Sequence, residues 1–346
     1  MKLFGVMLLS LLLIYPIGVA AEAEEKLQLR MTLPPIMGSL PLVLGHEWGI
    51  FHDHGLDLQL KGLADREGRI AALRAGRIDG MVTDLTTAIL AALDGIDIVI
   101  TSTAFLSQNG AGLALLTQYR TGITSIEDIL GDFAAGDERA RIHLSHLSNL
   151  HFQTDRLLSQ LGFDVYNAAN YQFWTDMVAL ARSFAFMPRW VPAVVLPEPY
   201  ISFLVHFIPL GIRGAEIIVL ADFLDIEPVP SVIIFRREFV RQNNEVLRRF
   251  HAAHQQAITR LNATSIGELL DLGVDVVVEM FFPGLDPGDP REIPPEVIVQ
   301  LTIPYFVAPT LPAPASLAAV MDWLIRAGHA RERITYDEII TDLFVR

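Results

Sequence analysis

The sequence predicts an α/β protein of two lobes, each a mainly parallel sheet flanked by helices, joined by a two-strand hinge. Three observations carry this expectation. From Leu27 onward, short β-rich runs alternate with helical periodicities, the pattern of right-handed βαβ units. The chain has 346 residues and 51% apolar content, enough for two cores of roughly 150 residues each. A strand broken at Tyr119–Gly122, and a later pair of strands at Ile217–Leu220 and Ser231–Phe235, mark where the chain leaves one lobe and returns to it.

The elements follow in order. Residues 1–21 carry one cation at Lys2, an apolar run from Leu3 to Leu13, a break at Pro16 and Gly18, and small residues at Ala20-Ala21. That is the layout of a cleavable secretory signal, cut after Ala21 or Ala23. A retained anchor is the alternative, for which the run is short and interrupted by Pro16. The chain has no cysteine, which excludes disulfides, thiolate metal sites, cysteine nucleophiles and a lipid anchor on cysteine. Its net charge of -14, with no basic run, argues against nucleic acid or an anionic membrane surface as partner.

Leu27–Thr32 reads as the first strand and Leu40–Trp48 as the helix after it. A turn at His54-Gly55 leads into the alternating strand Leu56–Leu60. Arg66–Ala75 has helical spacing and ends at Gly76, and Ile78–Val82 is a strand that stops at Thr83-Asp84. Asp84 is placed to cap the helix Leu85–Leu93. Asp97–Ser102 is almost wholly apolar and β-branched, as a strand buried on both faces is. Leu113–Thr117 is a further strand. Thr124–Gly131 reads as a helix capped by Ser125, Arg141–Ser145 as a strand, and Phe152–Leu161 as a helix stopped at Gly162. Phe239–Leu261 has a core stripe of Val240, Val246, Leu247, Phe250, Ala253 and Ile258. Residues 22–118 and 225–346 are thus expected to form the first lobe and 119–224 the second, with the hinge near Thr117–Gly122 and Leu220–Val229.

The stretch from Leu40 to Phe105 contains SLPLVLGHEWGIFHDHGLDLQL and then REGRIAALRAGRIDGMVTDL. It resembles the first lobe of bacterial extracytoplasmic solute-binding proteins of the nitrate/sulfonate/taurine and thiamine-pyrimidine type. Thr124–Gly131 is similar to the helix that opens the second lobe in that family, Ala193–Tyr200 to its second-lobe strand and Glu-Pro loop, and Phe239–Leu261 to its long helix. The chain departs from the pattern in an acidic insertion, Asp132–Ala140, and in Met187–Pro192, which replaces a Gly-x-x-Asp. The resemblance implies a type II periplasmic binding protein. It also implies a small-molecule ligand, a monomeric state, and a partner in the inner-membrane permease of an ABC importer. An enzyme on the same scaffold is the rival, of pyrimidine-synthase or menaquinone-pathway type. The first uses a cysteine-rich iron motif that this chain lacks, and neither carries an export signal. A sensing subunit is a third reading.

Ligands of open α/β sheets sit beyond the carboxyl ends of the strands, near helix N-termini. The loops there supply Ser39, Asp84, Phe105, Asn109, Ser145, Asn149, Trp174, Asp176, Glu198 and Tyr200, with Trp48 on the helix beside them. Asp84 also reads as a plain cap and Trp48 as core. Ser145 and Ser148-Asn149 also read as caps of the helix that follows, and Glu198, between two strand-end prolines, as half of an ion pair. The set is aromatic, amide, hydroxyl and carboxylate, without cations. It therefore suits a neutral or cationic heterocycle, vitamin- or pyrimidine-like, better than nitrate or a sulfonate. The histidines group as His46/His52/His54, His143/His146/His151, and His251/His254 on what reads as a surface helix face. Their spacing matches no metal motif, and no catalytic motif occurs, so no metal, cofactor or catalytic residue is expected.

Overall fold

The computed structural model describes residues 26–61, 65–107, 112–134, 141–165, 171–206, 215–265, 267–269, 279–281, 300 and 303–345. The expected signal segment, Asn109 and the proline-rich stretch 282–295 lie outside the described residues, as do 135–140 of the expected insertion. Asp132–Ala134 extend the preceding helix. Among the described residues no helix is long and apolar enough to cross a membrane.

The first half of the chain runs β1 (Leu27–Thr32), α1 (Leu40–Glu47), α2 (Ile50–Asp53), β2 (Leu56–Lys61), α3 (Arg66–Arg74), β3 (Gly80–Asp84), α4 (Leu85–Leu93) and β4 (Ile98–Phe105). It then passes to β5 (Leu113–Gln118), α5 (Ile126–Ala134), β6 (Ile142–Ser145), α6 (Asn149–Gln160), β7 (Tyr171–Trp174), α7 (Met177–Phe186), β8 (Ala193–Pro197), α8 (Tyr200–His206) and β9 (Ile217–Asp222). It returns through β10 (Ser231–Arg236), α9 (Arg237–Gln242), α10 (Asn244–Ala263), α11 (Pro314–Arg326) and α12 (Tyr336–Ile339).

Two five-stranded sheets result, ordered β2-β1-β3-β10-β4 and β7-β6-β8-β5-β9. Each is mainly parallel with one reversed strand. β10 is antiparallel to both β3 and β4, and β5 is antiparallel to both β8 and β9. The reversed strands are the two that begin a lobe after a crossing. The chain leaves each sheet at the end where its other strands finish, so it enters the next sheet at that same end and must run backwards through it. β5 therefore belongs to the second sheet, which corrects the boundary at 118. The first passage between the sheets lies between Phe105 and Leu113. Thr117–Gly122 sits at the far end of the second sheet, remote from the passage, and Phe223–Pro230 is the other passage.

The first sheet is covered on one side by α1, α2 and α10, through Leu42, Phe51, Leu247 and Phe250. On the other it is covered by α4 and α11, through Ile89, Val320 and Leu324. Every residue of the expected stripe in Phe239–Leu261 is buried, although the helix breaks at Asn243 into α9 and α10. His251 and His254 are also buried, against the expectation of a surface face. His251 Nε2 lies 3.1 Å from Thr101 Oγ1, and His254 stacks on Phe250 at 6.1 Å. Gly80 lets the Phe235 ring lie on the β3 backbone, where a Cβ would stand 2.3 Å from the ring.

At the end of the first sheet remote from the second lobe, the buried Asp79 carboxylate gathers β1 and β10. It accepts from the Arg30 backbone N–H at 3.0 Å, from Arg30 Nη2 at 2.6 Å and from Arg236 Nη2 at 3.1 Å. Burial pushes this carboxyl up, but the arginine hydrogen bonds outweigh it and hold it below the usual range. Its contribution is therefore present above the ordinary carboxylate value and is lost as the pH falls below it. Asp79→Ala leaves two guanidinium groups without their shared acceptor. It is expected to lower stability by about 3 kcal/mol in urea unfolding at neutral pH.

Candidate ligand-binding site

A cavity of about 340 Å³ lies between the lobes, at the shared end where the strands of both sheets finish. Its first-lobe wall comes from the loop after β1 (Ile36, Met37, Gly38), from Asp84 at the end of β3 and from Phe105 at the end of β4. Ser231, Pro304 and Tyr305 also line it. The second lobe contributes Leu113, the first turns of α6 (Asn149, Leu150, Gln153), and Pro197-Glu198 after β8. Gly38 is where the loop must approach most closely. A Cβ there would meet Ser231 Oγ at 2.4 Å and Phe105 Cβ at 3.3 Å.

Asp84 and Asn149 meet across the cleft. Asp84 caps α4 as its sequence position implies, accepting from the Thr87 N–H at 3.0 Å and the Thr87 hydroxyl at 2.7 Å. The same carboxylate accepts the Asn149 N–H, one of the free donors at the start of α6, at 3.2 Å. The Asn149 side chain then uses one end on the first lobe and the other on the end of the second passage. Oδ1 accepts from the Thr86 N–H and hydroxyl at 3.1 and 3.0 Å, while Nδ2 donates to the Val229 and Pro230 carbonyls at 3.1 and 2.9 Å. Asn149 is thus a bridge between lobes as well as a wall of the cavity.

Glu198 is turned back on its own helix. Its Oε2 accepts from the Ser202 N–H at 3.1 Å and its Oε1 from the Ser202 hydroxyl at 3.0 Å. Burial pushes its carboxyl up, and the Ser202 hydrogen bonds and nearby His206 pull it back only in part. Phe105 faces the cavity with its ring against Phe306 at 5.3 Å. Among the described residues no lysine, arginine or histidine lines the cavity, and most of its wall is aliphatic, aromatic or proline.

Six of the sequence-derived candidates lie away from this wall. Ser39 is wholly buried, and its hydroxyl has no hydrogen-bond partner among the described residues. Trp48 lies under the Arg260 guanidinium, 4.5 Å from the ring centre, at the junction of two apolar clusters. Ser145 ends β6, and its carbonyl accepts from the Ser148 hydroxyl that caps α6. Trp174 donates through Nε1 to His143 Nδ1 at 3.0 Å, and Asp176 caps α7 at the Ala179 N–H. His143 is held neutral by burial and by nearby Arg141, with its pKa lowered to about 4. Tyr200 is fully buried, and its hydroxyl donates to the Pro35 carbonyl at 3.4 Å. Burial raises its pKa well above the ordinary phenol value.

Gln153 and Tyr305 line the cavity without having been singled out. Gln153 lies one turn beyond Asn149 on the same helix face, a spacing that the sequence carries. Tyr305 follows a stretch with no periodicity, and only the fold brings it to the cavity mouth, where it is 65% exposed. Among the described residues no group of three or more His, Cys, Asp or Glu side chains is arranged to hold a metal ion.

Comparison with known proteins places this architecture. The model of the NMT1-like family matches residues 22–268. The alkanesulfonate-binding protein SsuA of Xanthomonas axonopodis pv. citri, solved with MOPS bound, superposes with a TM-score of 0.69. That match has 16% identity and covers 92% of this chain and 99% of that one. A ligand-binding component of an ABC-type import system from Staphylococcus aureus, solved with zinc bound, gives a TM-score of 0.68 at 15% identity, covering 92% and 98%. These likenesses are of fold. A 127-residue stretch, 36% of the chain, is 28% identical to the nitrate import ATP-binding protein NrtC of Synechococcus elongatus and spans 19% of that protein's length.

Asn149→Ala strips partners from the Thr86 N–H and from the Val229 and Pro230 carbonyls. It is expected to cost the closed arrangement about 3 kcal/mol and to raise the radius of gyration in small-angle scattering.

Proposed function

The chain belongs to the NMT1-like family, and on that premise we propose that it is the substrate-binding component of an ABC importer. In this reading it is exported to the periplasm, captures a small solute between its lobes by hinge closure, and presents the closed form to a membrane permease. The two passages between the sheets, Phe105 to Leu113 and Phe223–Pro230, are the proposed hinge. The role requires no bond-making, so the protein is read as a binder and not as an enzyme.

One observation carries the choice of solute. The cavity combines apolar walls with two carboxylates, Asp84 and Glu198, and lacks a cation among its described lining residues. A sulfonate or nitrate leaves its negative charge uncompensated beside those carboxylates. A flat, neutral or cationic heterocycle gains dispersion and stacking from Phe105, Met37, Leu150 and Pro197, and a polar edge finds Gln153 or Glu198. The walls of about 340 Å³ suit one or two rings. Asp84, Asn149, Gln153, Glu198 and Ser231 already bond within the protein, which favours a ligand recognised by shape and apolar area with few hydrogen bonds.

A thermal-shift screen of vitamins, pyrimidines, alkanesulfonates, taurine and nitrate tests this. Ligand at 100 times its Kd is expected to add about 2.7 kcal/mol of stability. Stabilisation by the anions, with none by the heterocycles, would end the heterocycle reading. For a heterocycle that binds, Phe105→Ala is expected to weaken affinity about tenfold or more by isothermal titration. Glu198→Gln is expected to weaken a cationic ligand more than a neutral one.

A further inference from the structure

Beside the cavity, on the far side of α6, the lobes meet through a concentration of imidazoles. His146 and His151 come from the second lobe, and His329 follows α11 in the first. The His146 ring centre lies 6.0 Å from that of His329 and 5.8 Å from that of His151. His151 is buried, and its Nδ1 accepts from the Leu147 N–H at 3.3 Å, which leaves the ring proton on Nε2. Leu147 holds a φ of +46° in the turn that delivers both His146 and the Ser148 cap. The first lobe closes on this turn from two directions. Arg66 donates to the His146 and Leu147 carbonyls. Trp323 stands edge-on to His151 at 5.1 Å and donates to Asp155 Oδ2 at 2.8 Å.

We propose that this seam is a proton-operated latch, which holds the lobes closed while its imidazoles are neutral and releases them on acidification. The inference rests on the binding role read above for the cavity, because α6 carries the seam on one side and Asn149, Leu150 and Gln153 toward the cavity on the other.

Geometry gives the direction of the effect. A proton added to His151 places an N–H at Nδ1 against the Leu147 N–H, donor facing donor. Asp155 faces the other nitrogen at 3.8 Å, but its oxygens already accept from the Tyr171 hydroxyl at 2.6 Å and from Trp323. Protons on His146 and His329 create two cations across the seam beside the Arg66 guanidinium. Against them stands the carboxylate of Glu67, more than half exposed and screened by water. Burial first, then Arg66 and His329, hold His146 below its ordinary value. Burial, then His146 and His329, lower His151 to about 3, and burial lowers His329. Opening returns the rings to water, where they titrate near the ordinary histidine value. Closure is therefore full above that value and weakens as the pH falls below it, by up to about tenfold per pH unit for each proton taken up.

The natural chain has no cysteine, so two can be placed and labelled without competition. Gln160→Cys and Glu332→Cys put nitroxides on exposed positions of the two lobes. The inter-label distance distribution is then read on the ligand-free protein from about pH 8 to about pH 5. A short-distance population that gives way to longer distances on acidification is expected. The added pair His146→Gln and His329→Gln is expected to keep more of that population at low pH than the parent, with only the part due to His151 still lost. Distances that do not move with pH, or a shift of equal size in the His146/His329 variant, would overturn the latch. No ligand enters this measurement, so a failed ligand screen with an intact pH response would remove the transport reading and leave the latch standing.

Discussion

The architecture depends on one constraint: among the described residues the chain passes between its sheets twice, and both passages lie at the same end of each sheet. β4 and β9 finish at that end, so β5 and β10 must start there and run against their neighbours. The register shows how tightly the ends are gathered. Ser231 opens β10 opposite both Asp84 and Phe105, and Leu113 opens β5 opposite Pro197. The parallel strands therefore all point their carboxyl ends into one cleft, and the helices that follow them point their free N–H groups the same way. The cavity is a consequence of connectivity before it is a consequence of any side chain.

Two seams flank that cavity, and they differ in kind. On one side a continuous apolar cluster runs from Met37, Leu40, Leu44 and Ile258 of the first lobe to Leu180, Phe184, Tyr200 and Leu204 of the second. Contact of this kind is insensitive to pH and strengthens with apolar area. On the other side, α6 docks through Asn149, Phe152 and Asp155, with hydrogen bonds and imidazoles concentrated in a few turns. Polar contacts in a low dielectric are strong when every partner is present and costly when one is lost, so the second seam is the one able to switch. The cavity between them carries carboxylates whose oxygens are occupied by helix-start donors.

Local signals were readable from the chain. Asp84 and Ser148 sit where a strand or loop turns into a helix, and both cap it, because a cap is decided by the three residues after it. The core stripe of α10 was legible for the same reason, since its periodicity is written in consecutive turns. The ring residues were not. Trp174 and Tyr200 both lie near strand ends, yet one bonds a histidine and one is sealed in the inter-lobe core, while Trp48, at a helix end, packs between two apolar clusters as its core reading implies. Which way a ring points is settled by elements far away in sequence. His251 and His254 are the plainest case, because a helix face rich in polar atoms reads as solvent-exposed until another layer of the fold covers it.

The sequence by itself determined the α/β class, the two-lobed organisation, the family likeness and the supply of carboxylate, amide and aromatic groups at strand ends. These follow from periodicity and capping, which are short-range. Only the tertiary structure decided that β5 belongs to the second sheet, that Asn149 bridges the lobes, and that Gln153 and Tyr305 join Phe105 around the cavity. It also brought His329 against His146, 183 positions earlier in the chain (329 less 146). Such pairings are fixed by which face of each element its distant partners bury, and no local pattern encodes that choice.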